Sequence, residues 1–499
     1  MLRSYRPIII PALILLAAAI TGCKKFVEVA PPNNSITTAE TFATDAQAAA
    51  AIAGIYSQMM SNSGAKTWSN GTLTLDAGLS SDEISSFQGA LTTGVTPFEN
   101  STLTAVDGLA DAAAWTPIYK IVYDVNAIID GTNASTTLTD SARKEIVGES
   151  KFIRGFCYFY LTNLYGDVPL ALSSDFNKTA LLPRAAQSDV YKQIIRDLTD
   201  ASDSLPDNYS ISNGERIYPR RSAAIAMLAR VYLYTQDWKD ADAQASAVIG
   251  NNQFSLPSDL TTVFLKNSSE SIWQLQPNTT VDPHGPYDYT NFVPFGRWSQ
   301  FETPGDSAYF DPSLFTIILP VIMPAYYLNT TINKSFEPGD QRKIAWTDFT
   351  PFPHYAPYIG DTLIYPVKYI NVKAGQVPTQ YYMVLRLAEQ YLIRAEAKAE
   401  EGDLDGAAAD LNTIRARAGL PPTTATSQAD MLTAILKERR IELLAEWGHR
   451  FLDLKRTGLA SSVIGALKVK QPWHGYQLLY PIPSTDIKVD PNLIQNPGY

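Results

Sequence analysis

Cysteine is nearly absent from this chain, with two in 499 residues, Cys23 and Cys157. A disulfide framework is therefore excluded. Histidine is almost as scarce. His284, His354, His449 and His474 are scattered, and none stands at metal-ligand spacing from another. The G-x-S-x-G elbow, the H-E-x-x-H helix and the P-loop are missing, which removes the common hydrolase, zinc-protease and nucleotide-binding signatures. Basic charge is in deficit. A formal net charge of -10 and a pI near 5.1 argue against nucleic acid as a partner, because few phosphate counterions would be released on binding. Long apolar runs are lacking too. The longest, Ile8 to Ile20, falls short of the ~20 residues that span a bilayer as a helix. Overall apolar content is ordinary for a soluble protein, which argues against a transmembrane barrel.

That one apolar run has a recognisable context. Arg3 and Arg6 precede it, and Ile20-Thr21-Gly22-Cys23 follows. A basic head, a short apolar run and small residues at its end form a secretory signal peptide, predicted over 1–22. The last four residues resemble the bacterial lipobox, in which the cysteine thiol takes a diacylglycerol and becomes the acylated N-terminus. Cys23 is thus the expected lipid anchor; several acyl chains, at about 0.8 kcal/mol per buried CH₂, hold a protein on a membrane durably. Cys157 then has no partner, and its apolar run, "KFIRGFCYFYLTNLYG", points to a small buried hydrophobe.

Helical periodicity dominates both ends of the chain. Ala-rich and amphipathic runs include "DAQAAAAIAGIYSQMM", "AAWTPIYKIVYDVNAIID", "DSARKEIVGESKFIRGFCYFYLTNLYG", 189–205 and 222–249. From residue 254 to 381 the period is lost and Pro, Gly, Asn and aromatics prevail, with short strand candidates such as "SIWQLQ" and "TLIYPVKYI". The helical pattern resumes at Tyr382 and holds to Gly458. Two segments share a register: Leu228, Ala229 and Tyr232, a turn near Gln236 to Trp238, then Ala241, Ala245 and Val248; and Tyr391 and Ala395, the Gly402 turn, then Ala407, Leu411 and Ile414. These offsets resemble the tetratricopeptide helix pair, in which small residues let antiparallel helices approach closely. The predicted fold is mainly α, with tetratricopeptide-like helix pairs forming a helical body and a loop-rich, aromatic-rich insertion containing short strands. The predicted division is 1–22 leader, 23–253 N-terminal helical region, 254–381 insertion and 382–499 C-terminal helical region with a closing tail.

Five blocks run through the mature chain in order: "ESKFIRGFCYFYLTNLYGDVPL", "RRSAAIAMLARVYLY", "LRLAEQYLIRAEAKAEEGDLDGAAADLNTIRARAGL", "ILKERRIELLAEWGHRFLDLKRTG" and "LLYPIPSTDIKVDPNLIQNPGY". Together, behind a lipobox, they resemble the SusD/RagB family of Bacteroidetes surface lipoproteins. The resemblance implies a non-catalytic binding protein without cofactor, anchored to the outer membrane and facing the cell exterior. It would capture oligosaccharides or peptides as the lid of a SusC-like TonB-dependent outer-membrane transporter, its helices packed against the barrel. Glu438, Arg439, Arg440, Glu442, Glu446 and Arg450 recur at three- and four-residue steps and are expected to form ion pairs along a helix. "PIP" at Pro481 to Pro483 and the terminal "QNPGY" are expected to close the fold as a rigid strand and turn.

Sugars present flat C–H faces, so a carbohydrate binder needs aromatic planes with a few polar groups for the hydroxyls. Candidates come from loops on two sides of the expected groove: Trp68, Asp82 and Phe87 from the N-terminal loop, and Tyr289, Asn291, Arg297, Trp298 and Tyr309 from the insertion. Trp115 and Trp273 are assigned to the core. "GDLDGAAAD" lacks the acid spacing of an EF-hand and is assigned to a helix-pair turn, so no metal site is predicted. With 50 acidic residues, a spatially assembled glycosidase pair stays open as an alternative, as does a pure protein scaffold.

Overall fold

The computed structural model describes residues 38–60, 67–87, 94–278, 285–295, 322–352, 360–370 and 377–499. The predicted leader, Cys23, Arg297, Trp298 and Tyr309 lie outside the described residues. The principal helices, numbered here along the chain, are α1 (Asp45–Met60), α2 (Thr72–Ser80), α3 (Thr116–Ala134), α4 (Asp140–Tyr165), α5 (Gln187–Ser204), α6 (Arg221–Thr235) and α7 (Trp238–Ile249). A short α8 (Tyr287–Phe292) stands in the insertion. Then come α9 (Leu387–Glu401), α10 (Leu404–Arg417), α11 (Gln428–Glu442) and α12 (His449–Arg456).

Each helix begins and ends for local reasons. Thr139 caps α4 by accepting from the Ala142 N–H, and Gly166, at φ 79°, ends it. The two tetratricopeptide-like turns use one chemistry twice. Gln236 (φ 59°) closes α6 and Gly402 (φ 88°) closes α9, both left-handed, and the next residue, Asp237 or Asp403, caps the following helix. Asn, Asp and Gly are the residues most at ease in that conformation, so Gln236 is the strained version of the turn.

The helices stack in order: α3 on α4, α4 on α5, α5 on α6, α6 on α7, α7 on α9, and α9 on both α10 and α11. The sequence places a long insertion between the two helix pairs; in space the array runs on without a gap. Ala229, Ala241 and Ala245 meet Ile393 and Ala397 directly, small side chains that let α7 lie against α9. Central α4 is buried around nearly its whole circumference from Phe152 to Tyr165. Its Phe152 and Phe156 rings meet Trp273 edge-on at 5.1 and 5.4 Å. Trp115, Trp273 and Cys157 are all buried, as expected.

Three expectations are corrected. The segment Tyr382–Arg386 is a strand, antiparallel to Ser271–Leu275, and helix α9 starts only at Leu387. A strand buried on both faces is a continuous apolar run with no period of its own, which is why it reads as the head of the helix. The charged block does not pair along its helix. α11 ends at Glu442, and its charges reach across the fold, Arg439 to Asp453 and Glu442 to Arg342, Arg386 and Arg417. The tail forms no strand at Pro481 to Pro483. Side-chain amides replace the sheet: Gln495 accepts from the Ile482 N–H and donates to the Ile482 carbonyl, while Asn496 donates to the carbonyls of Tyr165 and Tyr480.

Candidate functional site

The two loops nominated from sequence come together. Antiparallel pairing of Ile84–Ser86 with Tyr326–Leu328 laces the N-terminal loop to the insertion, and the Phe87 N–H extends the ladder to the Ala325 carbonyl at 3.0 Å. Helix α8 docks on the start of α2: the Tyr287 N–H donates to Asn70 Oδ1 at 2.8 Å, and Asn291 Nδ2 donates to the Gly71 carbonyl at 3.2 Å. Gly71 permits this approach. Its φ is 90°, and a Cβ there would meet the Tyr287 Cβ at 2.8 Å.

The nominated side chains separate by role. Trp68 is 2% exposed, with its ring 6.0 Å from Phe156, 5.8 Å from Tyr160 and 6.3 Å from Trp447. Phe87 is buried as well. These two rings have no face left for a ligand, because a loop rich in apolar residues buries its own aromatics when a core lies beneath it. Asn291 is buried and its amide is committed to Gly71. Asp82 is a clamp, accepting from Arg450 at 2.7 and 3.0 Å and from Arg440 at 2.6 Å. Burial would raise its pKa, but the two guanidiniums outweigh that and hold the carboxyl below its ordinary value. Tyr289 is half-buried against Val293, Tyr365 and Val367. Phe295, at 92% exposure, is the last described residue before the segment with Arg297, Trp298 and Tyr309.

Sequence reasoning passed over the acids beneath this face. Asp288, on α8, is buried and pushed up to about 8 by desolvation, and its Oδ1 has no hydrogen-bond partner. Glu83, beside Asp82, is pushed by burial up to about 7. A buried network braces the far side: Arg386 donates to Glu442 at 2.6 Å and to Glu446 at 2.9 Å, and Lys368 donates to Glu446 at 2.6 Å. Among the described residues no group of three His, Cys, Asp or Glu side chains is placed to hold a metal ion, and no helix is long and apolar enough to cross a membrane.

A model of the SusD family matches residues 360–499, and a second, described as starch-binding associating with outer membrane, matches residues 25–233. The two together take in well over half of the chain. The chain belongs to the SusD family. Among SusD relatives, SusD-like protein P25 of Formosa agariphila is 25% identical over 97% of this chain and 98% of its own length. SusD-like protein P2 of the same organism is 26% identical with the same coverage. A SusD superfamily structure from Bacteroides vulgatus superposes with a TM-score of 0.74 at 20% identity, covering 91% of this chain and 99% of the other. A laminarin-binding SusD-like protein superposes with a TM-score of 0.72 at 26% identity, again over 91% and 99%. The SusD matches fall on the two halves of the helical array. The stretch between them, which carries α8 and Phe295, lies outside both.

Proposed function

We propose that this SusD-family chain is a surface-exposed, non-enzymatic lipoprotein that binds oligosaccharides and delivers them to a SusC-like TonB-dependent outer-membrane transporter. The observation that carries the reading is the near full-length similarity to a laminarin-binding SusD-like protein. The outer-membrane association named in the description of the matched model supports the location. That match begins at residue 25, in keeping with a leader over 1–22 and an anchor at Cys23; the proposed division of the rest is 23–253, 254–381 and 382–499. For the glycan face this reading takes Tyr289 and Phe295 together with Arg297, Trp298 and Tyr309, which follow them in the sequence; Trp298 offers the largest ring and is next in sequence to a guanidinium that can bond hydroxyls.

Calorimetry of the purified mature chain against laminarin, starch, other neutral and anionic polysaccharides, and peptides tests this reading. Saturable glycan binding without release of shorter sugars is the expected result, weakened about tenfold or more by Trp298→Ala. Binding only to peptides would replace the sugar with a peptide ligand, and product release would make the chain a hydrolase. In cells, Cys23→Ala should abolish lipid labelling, and crosslinking should capture a TonB-dependent transporter. Crosslinks to periplasmic proteins alone would refute the surface placement.

A further inference from the structure

An aromatic stripe starts at Trp115, the residue just before helix α3, and runs into its first two turns. Trp115, Tyr119 and Tyr123 recur every fourth residue, which sets them on one side of the helix. They form one wall of a cavity of about 420 Å³, within the range of small-molecule sites. The remaining walls are the loop through Ala171 and Leu182 and the tail through Asp486 and Leu493.

Two of the rings are fixed. Trp115 Nε1 donates to Asp486 Oδ2 at 2.7 Å, the Tyr119 hydroxyl donates to the Pro169 carbonyl at 2.8 Å, and the ring centroids are 4.9 Å apart. Tyr123 stands at the mouth, 54% exposed. Across from the aromatic wall lies Asp490, a cavity-lining carboxylate that is only 6% exposed. Its Oδ1 accepts from the Asn492 N–H at 2.8 Å, and its Oδ2 has no partner among the described residues. That oxygen is not fully enclosed and faces a cavity in which a ligand hydroxyl can donate to it. The tail is held so that Asp490 keeps this position: Asn492 Nδ2 donates to the Leu181 carbonyl at 2.8 Å, and Asn496 Nδ2 to Tyr165. Val489, which lines the cavity, is exposed, and so are Leu172, Phe176 and Leu181 in the loop that supplies its Ala171, Ser173, Thr179, Ala180 and Leu182 wall, more large apolar side chains in solvent than singly scattered residues would give.

We infer that this cavity is a second glycan site, built from none of the residues of the α8 face, that takes a neutral oligosaccharide. Aromatic rings and apolar rim suit the C–H faces of a sugar, and Asp490 accepts from its hydroxyls. The charge selects against anionic glycans. Asp486 and Asp490 both line the cavity, while the one lining lysine, Lys120, is bound to Asp124 at 2.7 Å and to Gln58 at 2.9 Å. The inference rests on the carbohydrate-binding reading above.

The test is calorimetry of the mature chain with neutral laminari-oligosaccharides and anionic alginate oligosaccharides, on wild type, Tyr123→Ala, Asp490→Asn and Trp298→Ala. Tyr123 is exposed and Asp490→Asn keeps the side-chain shape, so both variants should melt with wild type. Wild type is expected to bind two laminari-oligosaccharides per chain. Tyr123→Ala and Asp490→Asn should each weaken one of the two sites tenfold or more, and Trp298→Ala the other. One site per chain, with Tyr123→Ala and Asp490→Asn matching wild type, would overturn the second site and leave the first standing. Tighter alginate binding at this site would overturn the assignment to neutral sugars. No binding of any glycan by wild type would refute the carbohydrate reading itself, and this inference with it.

Discussion

Replacing Asp82 by Asn separates a framework role from a ligand contact at one position. Asp82 is 4% exposed and accepts three hydrogen bonds from two guanidiniums, Arg450 and Arg440, themselves largely enclosed. The substitution keeps the shape and removes the charge, leaving two buried cations facing a neutral amide. Breaking a buried ion pair from one side costs about 3–5 kcal/mol. An unfolding entropy of about 2.1 cal/mol/K per residue gives a chain of this size about 1 kcal/mol/K, so the midpoint should fall by about 3–5 °C if the array melts as one unit. The sign of the pH dependence follows from the depressed carboxyl. The unfolded chain has its ordinary value near 3.9, so the stabilisation is complete above that and is lost as pH falls through the lower folded value. The gap between wild type and Asp82→Asn should therefore be full at pH 7 and close toward acid. Differential scanning calorimetry at several pH values reads the gap, and glycan titration of the folded variant reads the ligand. An unchanged midpoint with lost glycan affinity would refute the clamp and return Asp82 to the binding site.

Other outcomes follow from the same geometry. Trp68→Ala should cost about 3–5 kcal/mol by opening a cavity among Phe156, Tyr160 and Trp447, measured by urea unfolding; a loss under about 1 kcal/mol would show the ring is not core. Asp288→Asn should leave stability near wild type at pH 4 and raise it above wild type at pH 8. The folded pKa of about 8 lies above the unfolded one, so wild type loses stability as pH rises between the two; a pH-independent difference would refute this. The Cys157 thiol, buried and pushed up by desolvation, should resist a thiol reagent in the native protein and react on unfolding, and rapid native labelling would contradict its burial. Gly71→Ala should loosen α8 from α2, seen as faster amide exchange at Tyr287 and Val293, and protection equal to wild type would dismiss the close approach.

Much of the helical scaffold was legible in the sequence. The run Asp45–Met60 and the long helix from Asp140 were bounded from residues alone, because the apolar period agrees locally with a capping threonine at each start and, for the second, with Gly166 at its end. The tetratricopeptide-like pairs were legible from alanines at matching offsets. The strand at Tyr382–Arg386 was not, since burial on both faces erases the period that would distinguish it from α9. In the candidate site, the two loops were placed on two sides of one groove and the structure joins them, but Trp68, Phe87, Asp82 and Asn291 were assigned to its surface and belong to its support. Exposure of an aromatic or an acid in a loop depends on what lies under the loop. The α3 cavity did leave a trace, the four-residue spacing of Trp115, Tyr119 and Tyr123, which reads in sequence as ordinary core.

The sequence by itself determined the elements whose causes are local: the leader-like head, the capped helices, the Gln236 and Gly402 turns, and the small-residue faces that make helix pairs. The tertiary structure alone decided the partners of its charges. Arg386 meets Glu270 from one distant segment and Glu442 and Glu446 from another, and Asp82 meets Arg440 and Arg450 from the far end of the chain. It also decided that α7 and α9, separated by the whole insertion, are neighbours. Helix formation depends on residues three and four apart, whereas desolvation, charge pairing and cavities depend on which distant segments exclude water together.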